Sequence, residues 1–336
     1  MFLTKSRFVA ALTCPTKLFY MADTDYANQS VEDTFLAALA EGGFQVGELA
    51  KQYFPEGINI GTLDTIKALA KTNELLKNKN VIIFEAAIKY ENCFIRVDVL
   101  EKKGNFIKIH EVKAKSFNGN EATNFLKKDG TPNSIWKKYL YDVAFQKWVC
   151  SRALSNNMIS AHLMLADKSK RIAASGLNQK FRVLEVNGRK EVKVESDIQK
   201  EHLSPEILTS VNVDNICAGI FAATDHGLGV DETFDQMVMR LSFACEQGQI
   251  IPSQLGTHCG QCEFVCSSND KIIKKKDGRL ECFKRILGID PAVFDKPTIF
   301  DLWNFRGKQK FIDEGRISLS DLDEDDINIS SNTYGL

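Results

Sequence analysis

The sequence predicts an α/β protein, and three observations carry that expectation. Between residues 81 and 115, three strand-like segments follow one another, separated by Glu91-Asn92 and by the turn at 102–105. On either side lie longer segments whose apolar residues recur every three to four positions, the helical period. A second β-rich stretch follows at 160–194, after which 204–248 reads as mostly helical. Taken in order, residues 32–53 read as a helix carrying Phe35, Leu36, Leu39, Val46 and Leu49, broken at Gly42-Gly43 and stopped by Pro55-Glu56-Gly57. Residues 63–76 form a second helix, and strands follow at 81–90, 93–101 and 106–115. Residues 134–155 are helical again, with Leu140, Val143, Ala144, Trp148 and Val149 on one face. The acidic run at 321–326 reads as a solvated loop.

The 336 residues suggest about two domains. Hydrophobic residues at 44% and charged residues at 26% are ordinary globular proportions, which excludes collagen-like, low-complexity and small disulfide-scaffold classes. The 43 basic residues nearly balance 44 acidic ones, so any nucleic-acid surface must be local. No apolar run approaches the roughly 18 residues of a membrane span. The first seven residues lack the order of a secretory signal, and a cytoplasmic protein is expected.

Nine cysteines in a reducing compartment point to buried thiols or metal ligands rather than disulfides. Cys93, Cys150, Cys217 and Cys245 sit among apolar neighbours, as small buried hydrophobes do. Cys14, Cys259, Cys262, Cys266 and Cys282 form a different pattern. Thiolates two residues apart, as at Cys259-Gly260-Gln261-Cys262, can converge on one soft metal or cluster because the intervening turn folds back. On spacing alone, zinc and iron–sulfur are equally served.

Arg96-Val97-Asp98-Val99-Leu100 lies on the second strand and Ile109-His110-Glu111-Val112-Lys113 on the third. Side chains two apart share a strand face, so Glu111 and Lys113 point the same way, and Asp98 joins them from the neighbouring strand. Two carboxylates and a lysine suit a hard divalent cation beside an anionic phosphate, the set that phosphodiester hydrolysis needs. The same residues also suit the polar face of a half-solvated sheet.

The meander with its Asp98, the Glu111-Val112-Lys113 motif, the following helix with Gln146, and the scattered cysteines together resemble RecB-like nucleases of the PD-(D/E)XK superfamily. The resemblance narrows to the iron–sulfur branch, including AddB-type and CRISPR-associated nucleases, which has one cysteine before the nuclease core and three after it. The closest likeness is to bacterial proteins pairing this module with an uncharacterised C-terminal domain. Lys5-Ser6-Arg7-Phe8 leading to Cys14-Pro15, Phe84-Glu85-Ala86-Ala87, His258-Cys259, Glu281-Cys282-Phe283 and Asp301-Leu302-Trp303-Asn304-Phe305 support it. The resemblance implies a restriction-endonuclease-like core with a mixed central sheet flanked by helices, and helical N- and C-terminal parts joined by a cysteine cluster. Asp98 and Glu111 are then ligands for Mg²⁺ or Mn²⁺, Lys113 the catalytic lysine and Gln146 a substrate-side glutamine. Gly47 stands where the family has a histidine ligand, leaving the neighbouring Glu48, or Glu85, to complete the metal site. Cys14, Cys259, Cys262 and Cys282 are the implied ligands of a 4Fe-4S cluster, with zinc as the alternative and Cys266 as the rival fourth ligand. Such a cluster staples the chain ends.

Residues 102–138 hold nine lysines against Glu111, Glu121 and Asp129, and interleave Phe106, Phe117, Phe125, Trp136 and Tyr139, which are candidates to stack on bases. The expected function is a metal-dependent DNA nuclease acting on single strands or ends. A nucleic-acid-binding module with little or no cleavage is the alternative. The expected divisions are a segment at 1–30, a nuclease-like core at 31–200, a helical and cluster-binding region at 201–290, and the start of a further domain or tail at 291–336.

Overall fold

The computed structural model describes the chain apart from residues 32–33, 121–124, 173–174, 187–188, 196–197, 199–202, 324–325 and 327–336. In chain order its elements are β1 (Leu3–Thr4), α1 (Lys5–Ala11), α2 (Lys17–Tyr20), α3 (Thr34–Gln52), β2 (Ile58–Asn59), α4 (Thr65–Leu75), β3 (Asn80–Tyr90), β4 (Cys93–Lys103), β5 (Phe106–Phe117), α5 (Ser134–Ala153), β6 (Met158–Asp167), β7 (Phe181–Val186), β8 (Arg189–Val194), β9 (Leu208–Asn212), α6 (Asp214–Ala222), α7 (Phe234–Gln247), α8 (Ser268–Ile272), α9 (Gly278–Leu287) and α10 (Lys308–Asp313). They form two compact units, Met1–Leu12 with Thr34–Gln247, and Thr13–Asp33 with Gly248–Leu336. The segment expected at 1–30 therefore divides after Leu12. The first unit runs past residue 200 to Gln247, because β9 pairs with β6 and α6 lies against α5.

The first unit is α/β, a mixed sheet flanked by helices. Strand order is β2-β3-β4-β5-β6-β9, with β1 added on β4. The meander β3-β4-β5 is antiparallel, as its short turns dictate, whereas β5 and β6 are parallel and need α5 as their crossover. Asn133 caps α5 by accepting the Ile135 N–H, and Leu140, Val143, Ala144, Trp148 and Val149 are all buried, as their spacing predicts. Cys93, Cys150, Cys217 and Cys245 are buried as well. Burial pushes the Cys93 and Cys245 thiols up to about 11 and that of Cys217 to about 12.

Two local expectations fail. Gly42-Gly43 does not break α3, which runs unbroken from Thr34 to Gln52. Each glycine costs about 1 kcal/mol against alanine in a helix, and packing of Val46, Leu49 and Ala50 against Met164, Phe181 and Leu208 outweighs that. The region read as mostly helical at 204–248 holds α6 and α7, but it also contains β9, an edge strand whose pairing with the buried β6 overrides a weak local pattern.

The second unit is built of short helices and 3-10 turns around two small apolar clusters. One holds Tyr20, Tyr26 and Phe264; the other holds Cys259, Phe283, Ile299, Phe305, Phe311, Ile312 and Ile317. No helix among the described residues is long and apolar enough to cross a membrane.

Candidate functional site

Asp98 lies where β4 changes neighbours. Because β3 follows β4 along its whole length, β5 and β1 must share the other edge. The last β4–β5 partners are Val99 and His110, so continuing that register sets Asp98 opposite Glu111. Here the backbone ladder gives way to a side chain, and Asp98 Oδ2 accepts the Val112 N–H at 2.7 Å. Beyond the fork β1 takes the vacated edge, with Thr4 beside Phe94. The next residue, Lys5, opens α1, and its ammonium reaches back into the fork.

The side chains that meet there form one closed network. Lys5 Nζ lies 3.1 Å from Asp98 Oδ1 and 2.9 Å from Glu111 Oε2. Lys113 Nζ lies 2.5 Å from Glu111 Oε1 and 3.1 Å from Asp142 Oδ2. The Gln146 amide donates to Glu111 Oε2 at 2.6 Å and to Asp142 Oδ1 at 3.0 Å. Every oxygen of the three carboxylates thus has a donor. Glu111 is fully buried, whereas Lys5, Asp98 and Lys113 keep 22–26% of their side-chain surface and line a cleft of about 910 Å³.

The sequence-based set Asp98, Glu111, Lys113 and Gln146 is therefore brought together. Lys5 and Asp142 were not foreseen. Asp142 stands four residues before Gln146 on α5, so helical spacing alone was enough to find it. Lys5 gives no such signal, since 93 residues separate it from Asp98.

Two backbone irregularities aim these groups. The β5–β6 register jumps between Lys113 and Ser116, so Ala114 and Lys115 form a bulge next to the site, where such features re-aim side chains. Glu85 falls between the partner pairs Phe84–Val99 and Ala86–Val97, across from Asp98, and has φ of +57°. A non-glycine residue held in that region costs about 1–3 kcal/mol and persists where surrounding structure imposes it. Glu85 lines the cleft, as do Gly47 and Glu48. A Cβ at Gly47 would meet nothing within 4 Å, and Glu48 is paired with Lys51 at 2.9 Å.

The charges are strongly coupled. Burial opposes the Lys5 ammonium, but Asp98, Glu111 and Asp142 outweigh it and hold its pKa well above the usual lysine range. Lys113 is likewise disfavoured by burial and raised by Glu111 and Asp142. Burial, and then the Glu111 charge, push Asp98 up to about 7, while Glu111 is held far below the usual carboxylate range because Lys5 and Lys113 overcome its burial. Burial and the Glu111 charge also raise Asp142. The arrangement is a buried anion, Glu111, clamped between two cations, beside two carboxyl groups whose protonated forms are favoured by burial and by the Glu111 charge.

Of the aromatic residues proposed to stack on bases, Phe117, Phe125 and Trp136 are buried and belong to the core. Phe106 starts β5, where it pairs with Lys103 at the end of the strand opposite the fork. Tyr139 is different. It is half-buried, with Lys113, Lys115 and Lys138 at 5.9, 5.8 and 4.9 Å from its ring centre. Glu121 of the basic segment lies outside the described residues.

In the second unit Cys14, Cys259, Cys262 and Cys282 line one small recess together with Tyr20, His258 and Arg279. Cys266 does not line it, and its thiol donates instead to the Lys275 carbonyl at 3.4 Å. Tyr20 Oη lies 3.1 Å from Cys282 Sγ. Burial raises the Cys14 thiol, but hydrogen bonds with His258, Ser253 and Thr16 bring it down to about 7.

Among the described residues, no group of three or more His, Cys, Asp or Glu side chains is arranged to hold a metal ion. In the cleft the reason is visible, since the carboxylates converge on lysine ammonium groups rather than on a common open point. Comparison of the chain with protein-family models, with curated proteins and with solved structures found no match.

Proposed function

We propose that this protein is a metal-dependent DNA nuclease with a restriction-endonuclease-like core of the RecB-like PD-(D/E)XK kind. The observation that carries the reading is the meeting of Asp98, Glu111 and Lys113 at one cleft of about 910 Å³. The chemistry of the donors suits a hard divalent cation once Lys5 is displaced, because Asp98 and Glu111 turn one carboxylate oxygen each toward the same positive charge, the Lys5 ammonium.

Asp98 and Glu111 would hold Mg²⁺ or Mn²⁺, and Glu48 and Glu85 line the same cleft as candidate further ligands. Such an ion polarises the phosphoryl oxygen and makes water a better nucleophile. Lys113, held by Glu111 and Asp142, would present its positive charge to the scissile phosphate. Gln146 and Asp142 hold Glu111 and Lys113 in register. Tyr139 among its lysines offers a ring and positive charges to a single strand.

In the second unit Cys14, Cys259, Cys262 and Cys282 line one recess, and four thiolates are the ligand type and number that a 4Fe-4S cluster or zinc would take once they close in on it. Protein purified without oxygen that carries the cluster absorbs broadly near roughly 400 nm, and colourless protein containing zinc replaces that assignment.

The test is cleavage of labelled single-stranded DNA by the intact chain with Mn²⁺. Lys113→Ala and Glu111→Gln are expected to lower the rate by roughly 100-fold or more while DNA binding persists. Cleavage that survives both substitutions rejects the reading. The saturated carboxylates favour a second reading, a nucleic-acid-binding module without cleavage, which predicts binding by the wild type and no product with any divalent ion.

A further inference from the structure

We infer that Lys5 is a positioning residue that occupies the divalent cation's place until a phosphate of the substrate draws it away, so that metal and polynucleotide bind cooperatively. The inference rests on the nuclease reading above and adds a residue and a coupling to it.

Lys5 is the first residue of α1, and its backbone is fixed by the pairing of Leu3 and Thr4 with Cys93 and Phe94. Only its side-chain rotamers are free to move the charge. The ammonium contacts one oxygen of Asp98 and one of Glu111, the latter shared with the Gln146 amide, and among the described residues no other side chain bridges the two. A divalent ion bridging the same two carboxylates competes directly with it, because two cations cannot share those oxygens at contact distance without strong repulsion. Metal entry therefore expels the ammonium from its two partners.

The expelled group needs a new anion, because a buried cation left without a partner is costly. Val9, Phe44 and Val99 line the same cleft as Lys5, and of the other acids in its wall Glu48 is held by Lys51, Glu85 sits on β3 across from Asp98 and Glu191 on β8. A phosphodiester in the cleft supplies the missing charge. The balance agrees. With all three carboxylates ionised, as a bound divalent ion favours, the network and its two ammonium groups carry one net negative charge, the ion turns that into one positive charge, and a single phosphate restores neutrality. Each ligand alone leaves a charge uncompensated, and both together do not. By linkage, whatever the phosphate does for metal affinity the metal does for phosphate affinity.

Mn²⁺ binding to the intact chain, measured from the free-ion electron paramagnetic resonance signal, tests this without reference to turnover. Wild type, Lys5→Met and Asp98→Asn are titrated with Mn²⁺ alone and again with a phosphorothioate-protected single strand. Wild type is expected to bind at least ten-fold tighter when the strand is present. Lys5→Met is expected to bind Mn²⁺ at least ten-fold tighter than wild type without the strand, and to gain less than two-fold from it. If Lys5→Met binds no tighter than wild type, or keeps the full enhancement, the exchange is refuted while the carboxylate site stands. If neither protein binds Mn²⁺ in a way that Asp98→Asn removes, the nuclease reading itself fails and the exchange fails with it. Should Lys5→Met not fold, Lys5→Arg keeps a cation in the network, and tighter Mn²⁺ binding by that variant also refutes the exchange.

Discussion

Gln146 gives the most direct measure of how tightly the cleft network is tied. Its amide nitrogen donates to Glu111 at 2.6 Å and to Asp142 at 3.0 Å, on the oxygens that Lys113 leaves unbound. Gln146→Leu keeps the volume of this buried side chain and removes both donations. Hydrogen bonds to charged groups contribute about 1.5–3 kcal/mol each, and Lys5 still reaches the same Glu111 oxygen. The Asp142 oxygen is left without its donor, so a net loss of about 3 kcal/mol is expected. For a unit of this size each kcal/mol moves the melting temperature by roughly 2–4 °C, which predicts a fall of about 6–12 °C in calorimetry of the intact chain. A fall under about 2 °C refutes the claim that one amide bridges both carboxylates.

Two further outcomes follow from groups outside the cleft. Asp167 accepts from the Gly119 N–H at 2.9 Å, from Ser169 and from Thr209; burial raises its pKa, but these donors win and hold it at about 2. A depressed folded-state pKa stabilises above the unfolded value near 4 and is lost as pH falls toward 2, so wild type should lose melting temperature more steeply across that window than Asp167→Asn. Equal slopes refute it. In chelator-treated protein at pH 8, Cys14, at about 7, should be alkylated before Cys262, which burial pushes up to about 12, and long before the buried Cys93 and Cys150; peptide mass mapping gives the order, and Cys262 reacting first overturns it.

The parts of the fold legible in the sequence were those fixed by local pattern. The β3-β4-β5 meander follows from alternation and from two short turns, and α5 follows from its apolar stripe. The same alternation sufficed to set Glu111 and Lys113 on one face. What local pattern does not encode is which distant segment fills an edge. β9 has little alternation of its own and exists because β6 offers it a partner. Gly42-Gly43 looked like a break because propensity was legible and the packing of Val46 and Leu49 was not. Phe117, Phe125 and Trp136 looked like a stacking surface because the sequence does not show that they belong to the core. Lys5 is the extreme case, since its role depends on β1 pairing with β4 ninety positions away.

That pairing also orders the folding of the molecule. Hairpin contacts close quickly, whereas contacts bridging 93 and 106 residues await the closure of a long loop. The meander and α5 can therefore assemble while three acids share a single lysine, and the second positive charge arrives only when β1 docks. Until then the half-built cleft repels itself. Moderate salt or a few millimolar of a divalent ion would screen that repulsion in the nascent chain, so the rate at which this protein matures depends on the ionic composition around it even where its final stability does not.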